Sequence, residues 1–297
     1  MRGIGMLISA MAAAVGLCIA EMCREQRCFQ VTKYMFQTEK VSSVSGKIKI
    51  VFLSDQHNKV YGNKNKILYE SVKAEKPDLI LIGGDMLIGK KGVLAEPALD
   101  FVRRLPLICP VYYANGNHEQ RMKERTAYFG NTYHEYKERL LKAGVHFLEN
   151  ETVHLKIKGT ALCISGLELP LYTYKKFQTF PIKKEDIRKR IGTAARDELQ
   201  ILLAHNPAFS EIYKEWGADL VLAGHLHGGL VRVPGFRGII TPQLKLFPKY
   251  SGEMRKDKNQ AVIVSRGLGM HTIKIRLFNK AEVVSVCLCG PDGKNHL

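Results

Sequence analysis

The sequence predicts an α/β fold of stacked layers behind a single N-terminal hydrophobic segment. Apolar, β-rich runs alternate with amphipathic stretches of helical spacing over most of the 297 residues, the pattern of strands buried under helices. Hydrophobic residues make up 45% and charged residues 25% of the chain. It can therefore bury a large core, and a disordered chain is excluded. The first segment stands apart, because residues 3–20 carry no charge, with Arg2 before them and Glu21, Arg24 and Arg27 after them.

That segment is just long enough to cross a bilayer, which takes roughly 17 to 25 apolar residues. An uncleaved anchor is expected over a cleaved signal peptide, since the n-region is one Arg and no A-x-A site precedes a polar start. Glu21 and Met22 disfavour lipidation at Cys23, where a lipoprotein signal has small residues. Arg2 pulls the short tail inward, while Arg24, Arg27 and Lys33 pull the other way, so either orientation is open. Residues 1–22 are expected as an anchor or signal-like helix, 23–46 as a linker, 47–290 as the folded domain and 291–297 as a tail.

Within the domain, IKIVFL (48–53), LILI (79–82), PVYYA (110–114), LQILLA (199–204) and LVLA (220–223) read as buried strands. Residues 65–75, 135–143 and 208–216 carry apolar positions at helical spacing. The final part, residues 261–269, 272–277 and 281–288, reads as strands without helices between them. Seven cysteines without a CxxC pair do not make a disulfide framework, and none is a candidate ligand. Cys287 and Cys289 fit one face of a C-terminal strand.

Each of the five central strands runs into residues able to bind metal or phosphate: Ser54-Asp55-Gln56-His57, Gly83-Gly84-Asp85, Asn115-Gly116-Asn117-His118-Glu119, His205-Asn206 and Gly224-His225-Leu226-His227-Gly228-Gly229. Ligands gather at such strand ends in open α/β sheets. In extended backbone, the i, i+2 spacing of D-x-H and H-x-H turns both side chains to one side, and the glycines let the backbone approach an ion or oxyanion. Singly, a D-x-H or GD after a strand is an ordinary loop cap; five in order are not. Carboxylates, imidazoles and one amide without thiolate suit borderline ions such as Mn, Fe, Zn or Ni. There are too many ligands for one four-coordinate ion, so two ions are expected, with Asp85 able to bridge them.

The ordered series D-x-H, GGD, GNHE, H and GHxHGG resembles the calcineurin-like metallophosphoesterase superfamily, from about residue 48 to 288. With the N-terminal anchor it is most similar to the membrane-associated YkuE branch of bacterial phosphodiesterases. The resemblance implies a four-layer α/β/β/α sandwich. It implies that Asp55, His57, Asp85 and His227 hold one metal and that Asp85, Asn117, His205 and His225 hold the other, with Mn favoured. It further implies in-line attack of a metal-bridging hydroxide on phosphorus, and makes His118 the catalytic histidine that donates a proton to the leaving oxygen or neutralises charge on it. Two departures matter. Met86-Leu87-Ile88-Gly89 replaces the continuation GDxVDRG of the phosphoprotein phosphatases, which argues for a small-substrate or lipid diester. Leu230 stands where YkuE-like sequences commonly carry Gln.

The balance of 45 Lys and Arg against 28 Asp and Glu, formally +17, calls for an anionic partner. Residues 171–184 and 231–250 mix aromatics with Lys or Arg, as suits a membrane surface. The expected function is hydrolysis of a phosphodiester or pyrophosphate in a lipid or cell-envelope compound. A nuclease or cyclic-nucleotide phosphodiesterase is the alternative that the basic surface supports, and a non-catalytic metal-binding scaffold is the alternative of another class.

Overall fold

The computed structural model describes residues 2–42, 46–175, 178, 180–229, 231–232, 238–240, 249–270 and 275–291. In the first half of the chain α1 (Arg2–Glu25) leads into β1 (Phe29–Gln37) and β2 (Ile48–Leu53), then α2 (Lys66–Ala74), β3 (Leu79–Ile82), α3 (Glu96–Val102) and β4 (Val111–Tyr113). Next come α4 (Asn117–Glu124), α5 (Thr126–Phe129), α6 (Thr132–Lys142) and β5 (Val145–Phe147). The second half holds β6 (Glu151–Ile157), β7 (Thr160–Leu167), α7 (Lys184–Ile191), β8 (Leu199–Ala204), α8 (Ser210–Trp216) and β9 (Leu220–Ala223). It closes with the short pair β10 (Val231–Arg232) and β11 (Gly238–Ile240), then β12 (Met254–Asp257), β13 (Gln260–Val264) and β14 (Ala281–Cys289).

Two six-stranded sheets are stacked, in the orders β1-β14-β2-β3-β4-β5 and β12-β13-β9-β8-β7-β6. From β2 to β5, and from β13 through β9 and β8 to β7, neighbours run parallel. Each central strand is apolar on both faces because both are covered. Ile50, Phe52, Leu79 and Leu81 of the first sheet meet Ile164, Ile201, Leu203 and Leu222 of the second. The other face of the first sheet, with Val51, Leu53, Ile80 and Ile82, packs on Leu68, Val72, Phe101 and Leu140 of α2, α3 and α6. Leu202, Val221 and Val262 of the second sheet pack on Ile187, Tyr213 and Trp216 of α7 and α8. This is the four-layer α/β/β/α sandwich expected of the sequence.

Three expectations need correction. The stretch expected as a linker contains β1, which pairs in parallel with β14 over its whole length, from Phe29↔Ala281 to Gln37↔Cys289. Its alternating apolar residues cover the sheet edge, and Phe36 is fully buried. The N-terminal helix continues past residue 22 to Glu25. In the C-terminal part, residues 271–274 lie outside the described residues, and Ile275 and Arg276 are not in a strand. Leu230, residues 233–237 and 241–248, most of the tail, and residues 176, 177 and 179 of the first aromatic stretch also lie outside them.

Candidate metal centre

The loops that leave β2, β3, β4, β8 and β9 meet at one rim of the sandwich. Asp55, His57 and His227 form one group whose ligand atoms lie within 4.8 Å of one another; His57, Asp85 and His118 form a second, and Asp85, His205 and His225 a third. The groups are chained through His57 and Asp85. His205 Nε2 lies 3.1 Å from Asp85 Oδ2 and 3.7 Å from Asp55 Oδ1, and His227 Nε2 lies 3.7 Å from the same Asp55 oxygen. Asn117 opens α4 directly after Gly116, and its buried Oδ1 has no hydrogen-bond partner among the described residues. A buried amide oxygen left without a partner is open to a cation.

The convergence is achieved by a different backbone from the extended one expected. Asp55, His57, Asp85, His225 and His227 have φ of 52°, 46°, 54°, 70° and 51°. Left-handed backbone is costly for residues with a Cβ and gathers at functional sites. Here it curls each loop so that alternate side chains point inward, and neighbouring loops hold the curl. Asp55 N–H donates to Gly84 O at 2.9 Å and His57 N–H to Asp85 O at 3.0 Å. The glycines bring loop against loop more than backbone against ion: a Cβ on Gly84 would sit 1.9 Å from Gly116 N, and one on Gly116 would sit 2.2 Å from Asp85 Oδ1.

Hydrogen bonds set the histidine tautomers. Nδ1 of His57, His205 and His227 faces the carbonyl oxygens of Leu87, Gly83 and Gly269 at 3.2, 2.7 and 3.1 Å. Carbonyls only accept, so each Nδ1 carries a proton and each Nε2 is the nitrogen turned to the centre, able to give a cation its lone pair once any proton there has left. His118 is held the opposite way. The N–H of Gly89 donates to its Nδ1 at 2.7 Å, which leaves the proton on Nε2, 3.9 Å from Asp85 Oδ2.

Burial pushes the Asp55 carboxyl up, to about 6, against the opposing charge of His205. At Asp85 burial is outweighed by His205 and His118, and the carboxyl is held well below its usual range. His205 is raised in turn, because Asp85 and Asp55 outweigh its burial. A site that holds a proton on His205 in this way favours positive charge, and the N and O donors present fit two cations.

Several contributors lie outside the candidate set. Glu119 takes N–H donors from Asp85, Leu87 and Gly116 at 2.8, 3.1 and 3.1 Å and the Tyr113 hydroxyl at 2.8 Å, so one buried carboxylate fixes the GGD and GNHE loops together. The Asn279 side chain donates to His227 O at 2.7 Å and Gly229 O at 2.6 Å, while its own N–H donates to Glu25 Oε2 at 2.8 Å. Tyr174, in the first aromatic stretch, sets its ring 5.0 Å from that of His225. Glu119 stands in a motif and was readable as a capping residue three positions after Gly116. No local signal marks Asn279 or Glu25.

The sequence model of the family described as calcineurin-like phosphoesterase matches residues 48–229. YpbG of Bacillus subtilis is 28% identical over 86% of this chain and 87% of its own length. A Danio rerio transmembrane protein with metallophosphoesterase domain is 24% identical over 96% of this chain and 62% of its own. The phosphodiesterase YaeI of Escherichia coli is 26% identical over 63% of each chain. The matched span contains every loop of the rim, and on it the chain belongs to the calcineurin-like phosphoesterase family, the metal-dependent hydrolases of phosphoester bonds.

Proposed function

We propose that the chain hydrolyses a phosphodiester or pyrophosphate bond in a lipid or cell-envelope compound at a two-metal site. Asp55, His57, Asp85 and His227 hold one cation and Asp85, Asn117, His205 and His225 the other, with Mn the favoured ion. The observation that carries this is the chain of ligand groups through His57 and Asp85, with the Nε2 atoms of His57, His205 and His227 turned inward. When bound, the two cations supply Lewis acidity to the phosphoryl oxygens and a hydroxide nucleophile at neutral pH.

The chain's own residues do the rest. The His118 N–H donates to Asp85 Oδ1 at 2.8 Å, leaving Oδ2 among His57, His118 and His205. Of the two roles expected of His118, the tautomer favours the second. A neutral imidazole with an Nε2–H gives a hydrogen bond to the oxygen on which charge grows, since full transfer would leave an imidazolate. Met86 and Leu87 are buried in the apolar cluster beside α3, so no cationic clamp follows Asp85, which supports a small or lipid diester over a phosphoprotein. The helix over Ile4–Glu25, whose most apolar 18-residue window has mean hydropathy 2.0 and is not buried, supports a single-pass anchor in the cell membrane.

The test is hydrolysis of bis-p-nitrophenyl phosphate and p-nitrophenyl phosphate by the full chain in detergent, stripped with a chelator and reloaded with Mn. Diester cleavage is expected, absent in Asp85→Asn and lowered about 10²–10³-fold in His118→Ala, the range for losing one donor to a developing charge. Undiminished turnover in Asp85→Asn would sink the assignment.

A further inference from the structure

A cavity of about 510 Å³ runs between the candidate metal centre and the foot of α1. His57 and Gly269, whose carbonyl holds His227, line one part of it; Glu25 and Gln26, where the helix ends, line another. Twenty-two helical residues (Ile4–Glu25) span about 33 Å at 1.5 Å each, against about 30 Å of bilayer hydrocarbon. With α1 across a bilayer, Glu25 comes out at head-group depth, and the cavity that it lines opens there.

Two observations tie the cavity to that surface. The helix foot is fixed to the site, not tethered to it. Glu25 accepts the N–H of Asn279, Asn279 holds the carbonyls of His227 and Gly229, and β1 begins at Phe29. Around the mouth, large apolar side chains face outward: Val60 is 42% exposed, Leu94 71%, Ile275 41% and Phe278 44%. Val60 is in the cavity wall, the Leu94 carbonyl bonds the wall residue Asn58, and Ile275 and Phe278 flank the wall residue Arg276. Such a cluster beside a membrane-length helix fits the interface, and Lys59 and Lys90 in the same wall suit lipid phosphate.

We propose that this cavity is a membrane-surface subsite, which takes the head group of a phosphodiester lipid from the bilayer that holds α1 while the acyl chains stay in the membrane. The inference rests on the phosphoesterase reading above and on α1 as a retained anchor. It implies that enzyme and substrate must share one membrane.

The full chain is placed in phosphatidylcholine vesicles for two measurements. In the first, Val60→Trp and Phe278→Trp are read against the native chain, whose one tryptophan is Trp216, using lipids brominated near the head group. Quenching of the added tryptophans beyond that of Trp216 is expected, and equal quenching overturns the proposal. In the second, the Mn-loaded chain is given a dialkylglycerol p-nitrophenyl phosphodiester in the same or in separate vesicles, with bis-p-nitrophenyl phosphate in the water phase. Sharing a vesicle should raise the lipid rate at least about tenfold through effective concentration. Equal rates in both arrangements, or cleavage of the soluble diester alone, overturn the subsite and leave the phosphoesterase reading standing. Cleavage of neither overturns both.

Discussion

His205 is ordinarily half-protonated near neutral pH, but between Asp85 and Asp55 its folded-state value rises to about 10, burial notwithstanding. A group raised in the fold binds more protons there than in the unfolded chain, so its stabilisation is complete below about 6.5. It is then lost as pH climbs through about 10. Chelator-treated protein should therefore lose melting temperature between pH 7 and pH 10 more steeply than a His205→Asn variant does. Mn, which takes the proton's place, should flatten that decline and bind more tightly as pH rises. Parallel melting curves for parent and variant would contradict the assignment. That the candidate Asp and His residues gather at one place was legible in the sequence, because a short motif carries its own chemistry. Their left-handed backbone was not, since φ at Asp55 or His227 is imposed by the neighbouring loop. Asn279 and Glu25 were invisible for a similar reason: their hydrogen bond joins residues 254 apart in the chain.

Among the elements, the central strands were the most readable. Leu79–Ile82 and Leu220–Ala223 are wholly apolar, and Ile48–Leu53 and Leu199–Ala204 are apolar but for Lys49 and Gln200, because these strands are covered on both faces. Elements at the margins carry weaker signals. α7, KEDIRKRI, buries only Ile187 and Ile191, and β6 alternates exposed with half-buried residues, so each shows the core a thin stripe. β1 was lost between a hydrophobic helix and a polar stretch, although it caps one edge of the first sheet. Chains starting at Gln26 should fold, whereas chains starting at Glu39 should aggregate through the bared edge of β14. In the full chain, Phe36→Ala should cost about 3–5 kcal/mol of stability. Equal solubility and denaturant midpoints for the two truncations would show β1 to be dispensable.

At the scale of the whole molecule, the excess of 45 basic over 28 acidic residues acts through the solvent. Binding of the chain lacking α1 to vesicles with anionic lipid should weaken steeply as salt rises from low ionic strength through about 0.15 M, where the Debye length is ~8 Å. Salt-insensitive binding would place the contact on the apolar rim instead. Composition pointed to an anionic partner but to no face for it, because the face proposed above is assembled from residues near 25, 60, 94 and 276, which only the fold brings together.

β14 lies between β1 and β2 in the first sheet, so the strand made early cannot find its place until the strand made late has arrived. During synthesis the N-terminal helix is made long before residue 289 exists, and through that interval it is joined to the growing domain by a strand whose partner β14 has not yet been made. Asn279, which locks the helix foot to the His227 loop, stands two residues before β14. Birth order thus delays the site: a nascent chain already holding every candidate metal ligand still lacks the strand that fixes them relative to the N-terminal helix.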